Sequence, residues 1–259
     1  MQAAPDMPPN SALERQSGQL SVVISQPMFF PWVGLLEQIR LADVYVHYGD
    51  VQFSKGGFSN RVQIKTPQGI KWLTVPLEGR TLGQSIEETR INSRIDWRSQ
   101  HLGMLRGAYA RAPYFDEMMA LVDSVYERTW RSIGELSRAS TEALCAYFGL
   151  AAGRRFADVR EMGIAGASSQ RVLDIVRALG GRRYITGWGA RNYLEHELFE
   201  HAGVRVEYMD YEKRPYAQLH GDFTPYVSAL DLAANMGREG GNNICSGASY
   251  WKQWMERNS

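Results

Sequence analysis

Between Ser21 and Val46 an unbroken apolar run, SVVIS, is cut by two prolines in QPMFFP, and after a helical stretch the chain resumes with VYV. No other feature narrows the choice of fold as much. Val22, Val23 and Ile24 form a β-branched run suited to a strand covered on both faces. Pro27 and Pro31 cannot donate ladder hydrogen bonds, so the strand stops near Gln26. Pro31 suits a first helical turn, and Trp32, Leu35, Leu36, Ile39 and Ala42 recur at helical spacing. With Val44, Tyr45 and Val46 the unit reads β-α-β, and its crossover of ~12 residues argues for parallel neighbours. Ligands of open parallel sheets sit at the carboxyl ends of the strands. Gln26, Asp50 and Gln52 therefore belong to one edge.

The rest of the chain fits an α/β fold. Val62 and Ile64 alternate with polar neighbours, TPQG supplies turn residues and IKWLTVPL alternates again, which predicts an antiparallel hairpin. SIEETRIN reads as a third extended stretch. Helices are expected over 94–112, 114–127 and 132–149, punctuated by Pro113 and Gly149, as an inserted helical subdomain of about 94–150. Arg155 to Val159 reads as a strand and Ser168 to Leu179 as a capped helix stopped by Gly180 and Gly181. Tyr184 to Thr186, a helix from about Ala190, and Val204 to Tyr208 make a second β-α-β unit. The expected architecture is a mixed sheet with Rossmann-like β-α-β units in one α/β domain over 20–259.

Composition limits the function classes. A chain of 259 residues with 44% hydrophobic content has enough apolar material for a buried core. Its 29 basic and 28 acidic residues nearly cancel, so no overall field draws it to nucleic acid or to a membrane surface. Cys145 and Cys245 are far apart and suggest neither a disulfide framework nor a zinc cluster, which fits a reducing cytoplasm. There is no apolar run of ~18 residues, hence no expected membrane span, and the polar, Pro-rich residues 1–19 read as a disordered leader.

Some motif matches fail. GWGARN lies between a strand and a helix and imitates a dinucleotide-binding turn, yet Asn192 replaces the third glycine; a tight turn in which glycines supply unusual backbone angles is the plainer reading. His196 and His201 are five apart rather than four, so HELFEH reads as a solvated helix face and no metal site is expected.

Several separated segments carry a family resemblance: QPMFFPWVG, DVQFSKGGFSNRVQIKTPQG, WLTVP, DWRSQHL with AYARAPYF, YITGWGARNYLEHELFEHAGVRVEYMDY and LHGDFTPYVSALDL. In this order they resemble the WbqC-like proteins, encoded in bacterial O-antigen, other surface-sugar and some natural-product gene clusters, over roughly residues 20–237. Ser25 and Ser59 depart from the family's usual pattern, which has His or Met at the first position and often His at the second. The resemblance implies transfer of an acyl or aminoacyl group to an amine, such as an amino sugar or a related metabolite.

Acyl transfer needs a proton acceptor, donors for a developing oxyanion and a clamp for an anionic group. His101 is the expected base, on a helix that also holds Trp97, Leu105 and Tyr109. Asp50 would orient it or bind the attacking ammonium, and Gln26 and Asn60 would donate to the carbonyl oxygen. Arg61 offers a fork for carboxylate or phosphate and Lys65 a point charge. Gln52, Lys55, Trp72 and Thr74 complete the polar group, while Gly187 and Tyr193 mark a second binding turn. Phe29, Phe30, Trp32 and Trp72 would line a narrow approach or serve as core. Cys245, in GGNNICSG, is either an inert thiol or a nucleophile. No tightly bound cofactor is expected. The donor would be a phosphopantetheine thioester on coenzyme A or on an acyl or peptidyl carrier protein, and the acceptor a small-molecule amine. Two alternatives are a non-catalytic sugar- or nucleotide-binding module and a thioester hydrolase.

Overall fold

A computed structural model of the chain describes residues 19–79 and 81–257; the expected leader falls almost wholly outside them. The strands are β1 (Ser21–Ser25), β2 (Val44–His47), β3 (Arg61–Thr66), β4 (Gly69–Thr74), β5 (Arg155–Asp158), β6 (Arg183–Thr186), β7 (Arg205–Asp210) and β8 (Gly247–Tyr250). The helices are α1 (Val33–Leu41), α2 (Trp97–Tyr109), α3 (Phe115–Tyr126), α4 (Ile133–Tyr147), α5 (Ser168–Ala178), α6 (His196–His201), α7 (Ala229–Met236) and α8 (Trp251–Arg257).

Six strands form one sheet in the order β5-β2-β1-β6-β7-β8, parallel except for β8. β3 and β4 pair separately as the expected hairpin. The chain moves outward from β1 to β2 and β5, then returns to the other side of β1 for β6 and β7. The strand order thus reverses between β1 and β6, and in such sheets ligands bind in the crevice outside the carboxyl ends at that point.

Period-two alternation sorts the strand side chains between two cores. Val23, Tyr45 and Ile185 join α1, α2, α3, α4, α7 and the hairpin on one face. Val22, Ile24, Val44, Val46, Tyr184, Val206 and Tyr208 join α5 and Phe199 of α6, with Trp254 of α8, on the other. The three helices expected as an inserted subdomain lie in the first layer and share its apolar cluster with the sheet.

Local chemistry shifts several expected boundaries. Pro31 lies outside α1, whose N-cap is Trp32, because its carbonyl accepts the Ala229 N–H (2.8 Å) and the preceding Phe30 turns at φ 38°. SIEETRIN is not a strand. Ser85 N–H donates to Glu88 Oε2 (2.9 Å) and Glu88 N–H to Ser85 Oγ (3.2 Å), which closes a turn, and the stretch keeps only isolated bridges, at Ser85, Arg90 and Ile91. α5 has no side-chain cap, since Ser168 sits at φ 56° and Ser169 Oγ instead accepts the Glu195 N–H (3.0 Å). Gly180 ends it at φ 75°, as expected. After β6 the chain makes a short 3-10 turn over Trp188–Asn192, and α6 begins later than Ala190. Gly187 itself has φ −91°, an angle open to any residue, and a Cβ there would meet only the mobile end of Gln38 (Nε2, 2.8 Å), so the expected unusual backbone angle is not found.

Candidate functional site

The segment after β1 is held from both sides. Ser140 Oγ on α4 accepts the Phe30 N–H (2.9 Å), Thr141 Oγ1 donates to the Met28 carbonyl (3.0 Å), and Ser228 Oγ donates to the Phe30 carbonyl (2.7 Å). Phe29 and Phe30 are fully buried, so both belong to the core. One residue further along α4, Glu142 Oε1 lies 3.0 Å from Nε2 of His47, the last residue of β2. A carboxylate only accepts, so Nε2 carries a proton, and in the neutral ring the lone pair is on Nδ1. Nδ1 is buried and has no hydrogen-bond partner. Tyr45 and Phe156 pack on the ring. Register pairs His47 with Ser25 of β1, and the alternation of both strands puts the two side chains on the same face. Ser25 is half-buried and Gln26, next in the chain, is exposed. The result is an imidazole fixed by a carboxylate, at the carboxyl edge of the sheet and on the same face as its register partner Ser25.

The expected base lies elsewhere. His101 is buried among Phe29, Trp97 and Tyr126. Its Nε2–H donates to the Thr74 carbonyl (3.1 Å), so Nδ1 must accept from the Tyr126 hydroxyl (2.8 Å). Burial lowers its pKa to about 4. With both nitrogens engaged, His101 has no lone pair to offer a substrate and serves as a core linker. Asp50 does not orient it either: its carboxylate binds the Arg171 guanidinium, at 3.1 Å from Nη1 and through a second bond to Nη2, tying the end of β2 to α5. Asn60 is likewise structural, its Nδ2 donating to the Val75 carbonyl (3.0 Å).

Four other expected residues share one face of the hairpin. Register places Arg61 opposite Thr74, the half-buried Gln63 opposite Trp72 and Lys65 opposite Ile70. The Arg61 guanidinium lies 4.2 Å from the centroid of Trp72, with Phe58 beside that ring, and donates to the Gly56 carbonyl (2.6 Å). Lys65 is not a free cation: Nζ donates to Gln218 Oε1 (3.2 Å) and to the carbonyls of Gly221 (2.9 Å) and Asp222 (2.5 Å). Gln52 and Lys55 line a separate groove of about 410 Å³ with Leu82 and Thr89. Trp32 packs edge-on against Tyr211, while Tyr193 is exposed beyond the 3-10 turn that follows Gly187. The expected residues thus fall into several groups: Gln26, Trp32 and Gly187 toward the strand reversal, the hairpin face, the groove, and the structural links at His101, Asp50 and Asn60.

Cys245 is not an activated thiol. Burial and the carboxylate of Glu212, to which Sγ donates (3.4 Å), push its pKa up. Nearby, sequence reasoning missed Glu37: fully buried on α1, it accepts the Ser246 N–H through Oε2 (2.7 Å), has no partner for Oε1, and burial raises its pKa to about 7. His47 was missed as well. Its signal was a histidine closing a strand on the edge where ligands bind. Among the described residues no group of three or more His, Cys, Asp or Glu side chains could hold a metal, and no helix is long and apolar enough to cross a membrane.

Fold and site together define a doubly wound α/β protein whose candidate chemistry lies at the carboxyl edge of its central strands. The chain belongs to the WbqC-like protein family, whose model matches residues 26–243. It is 34% identical over 222 residues to a protein of Mycobacterium tuberculosis (strain ATCC 25618 / H37Rv) named "Uncharacterized protein Rv1507c", covering 84% of this chain and 94% of that relative. No solved structure matches.

Proposed function

We propose that the protein is an acyl- or aminoacyltransferase that moves an acyl group from a thioester to an amine such as an amino sugar or a related metabolite. The donor is carried by coenzyme A or by the phosphopantetheine arm of a carrier protein, in O-antigen or natural-product biosynthesis in the cytoplasm. One observation carries this reading: His47 is held by Glu142 at 3.0 Å with its other nitrogen unpaired, at the carboxyl edge of the sheet. An amine becomes nucleophilic only when its proton has somewhere to go, and an imidazole with a fixed tautomer is the side chain suited to take it near neutral pH. Gln26, exposed next to Ser25, is assigned to the carbonyl oxygen.

The test is incubation of the purified protein with acylated carrier or acyl-coenzyme A and a panel of amines, followed by mass spectrometry of the products. Amide is expected, with turnover falling about 10²–10⁴-fold in His47→Gln. The reading fails if every donor stays intact, or if His47→Gln works as well as the wild type. Release of free acid without amide would mean that water replaces the amine and the protein is a thioester hydrolase. The hairpin face favours a second reading, a non-catalytic sugar- or nucleotide-binding module, because a guanidinium stacked on an exposed tryptophan suits a ring bearing an anionic group. Calorimetric binding of a nucleotide sugar that emerges unchanged would support that reading.

A further inference from the structure

We propose that Ser25 is a nucleophile that carries the acyl group as an ester before the amine receives it, with His47 as its base and Glu142 as the group that orients His47. The inference rests on the transferase reading and deepens it.

The geometry leaves His47 little else to serve. Its Nδ1 has no partner and almost no exposed surface, so an incoming amine meets the strand-end side chains before it meets the imidazole. Ser25 is the partner of His47 across the β1–β2 ladder. Adjacent parallel strands lie roughly 4.8 Å apart, and side chains paired in register on one face come within reach of one another after a rotamer change. Ser25 is half-buried, and its hydroxyl has a long contact to the Gln26 carbonyl (3.4 Å) and an interaction with the Tyr45 hydroxyl, a ring that itself packs on His47. On the far side Glu142 fixes the imidazole with its proton on Nε2. Nucleophile, base and orienting carboxylate thus come from the end of β1, the end of β2 and α4, the arrangement that activates a weak hydroxyl nucleophile.

The step balances without any outside oxidant or reductant. Ser25 gives its hydroxyl proton to His47 Nδ1 as Oγ bonds to the thioester carbonyl carbon. The C–S bond then breaks, and the departing thiolate takes that proton from His47. In the second half the amine nitrogen bonds to the same carbon and passes a proton to His47. The Ser25 C–O bond breaks, and Oγ takes the proton back.

A fluorophosphonate probe tests the nucleophile without knowledge of the natural donor, since it phosphonylates activated serines. Digestion and mass spectrometry should find the label on the peptide holding Ser25. Labelling should slow at least about a hundredfold in His47→Gln. It should also slow in Glu142→Gln, and be absent from that peptide in Ser25→Ala. An unlabelled Ser25 in the folded wild-type protein, or equal labelling in His47→Gln, overturns the proposal. Amide formation by Ser25→Ala at the wild-type rate also overturns it while leaving the transferase reading intact, because the amine would then attack the thioester directly. Labelled Ser25 with no amide from any donor has the opposite meaning: the nucleophile stands and transfer to amines does not.

Discussion

His47 and His101 differ in how many ring nitrogens already have partners: one of two in the first and both in the second. Turnover per folded molecule in His101→Gln should therefore stay within a few-fold of wild type while His47→Gln loses most of it. His101 should instead show itself in stability. An unfolded chain lets its imidazole protonate below about pH 6.5. The folded protein resists until about pH 4. Between these limits the unfolded state binds more protons, so the contribution is fully present above about pH 6.5 and is lost as pH falls toward 4. Denaturation of wild type and His101→Gln at pH 7 and pH 4 should show their stability difference shrinking by about 3 kcal/mol on acidification. A constant difference would refute the assignment. Glu37 has the opposite sign: its folded pKa is raised, so its protonated form is favoured and the protein loses stability as pH rises from about 4.5 through about 7. Comparison with the variant cancels it. His101 was visible in the sequence as a histidine with apolar neighbours on its helix, a pattern that a core linker and a buried base share. What separates them is Tyr126 and the carbonyl of Thr74, partners no local pattern announces. His47 was hidden by its place in an apolar strand, and its carboxylate lies 95 positions away.

Elements whose signal is local agree with their expected bounds. The hairpin, α2, α3, α4, the first β-α-β unit and the two strands of the second lie where spacing and punctuation put them, within a few residues, whereas the helix expected from about Ala190 begins at His196. SIEETRIN alternates as a strand does, yet the reciprocal bonds between Ser85 and Glu88 outweigh that pattern, and Ser-x-x-Glu is itself a readable turn-closing signal. The end of α7 shows a constraint visible only in three dimensions. Gly237 follows it at φ 61°, ψ −154°, a conformation nearly confined to glycine, and a Cβ there would meet the Tyr114 ring at 2.6 Å. Tyr114 in turn caps α3 and donates its N–H to the Ala234 carbonyl (2.9 Å). Gly237→Ala should thus cost about 2–3 kcal/mol in a urea titration. Gly189→Ala, which meets nothing within 4 Å, should shift the midpoint little. Equal midpoints for the two variants would refute the assignment.

Across the whole molecule, parallel pairing was legible but strand order was not. A β-α-β pattern shows that two strands run the same way, yet not on which side of β1 the later strands settle. The two apolar clusters decide that, because α1 covers one face and α5 the other. The outcome puts the reversal beside β1, so Gln26 and Gly187 follow neighbouring strands at that point although they are far apart in the chain. The same long reach explains why the expected site residues dispersed. Residues clustered in sequence between Gln26 and His101 are drawn apart by partners from later helices, Arg171 for Asp50 and Tyr126 for His101.

Phe30 turns this reach into a matter of timing. Its backbone N–H is satisfied by a hydroxyl 110 positions onward and its carbonyl by one 198 positions onward. A ribosome releases Ser228 only 198 residues after Phe30, so the nascent chain carries an apolar segment with unsatisfied backbone groups throughout that interval. The protein is then expected to acquire protease resistance in one late step. Ribosome-bound chains arrested before Ser228 should be digested throughout the stretch from β1 to α4, whereas a resistant fragment from such chains would show that the amino-terminal half matures by itself.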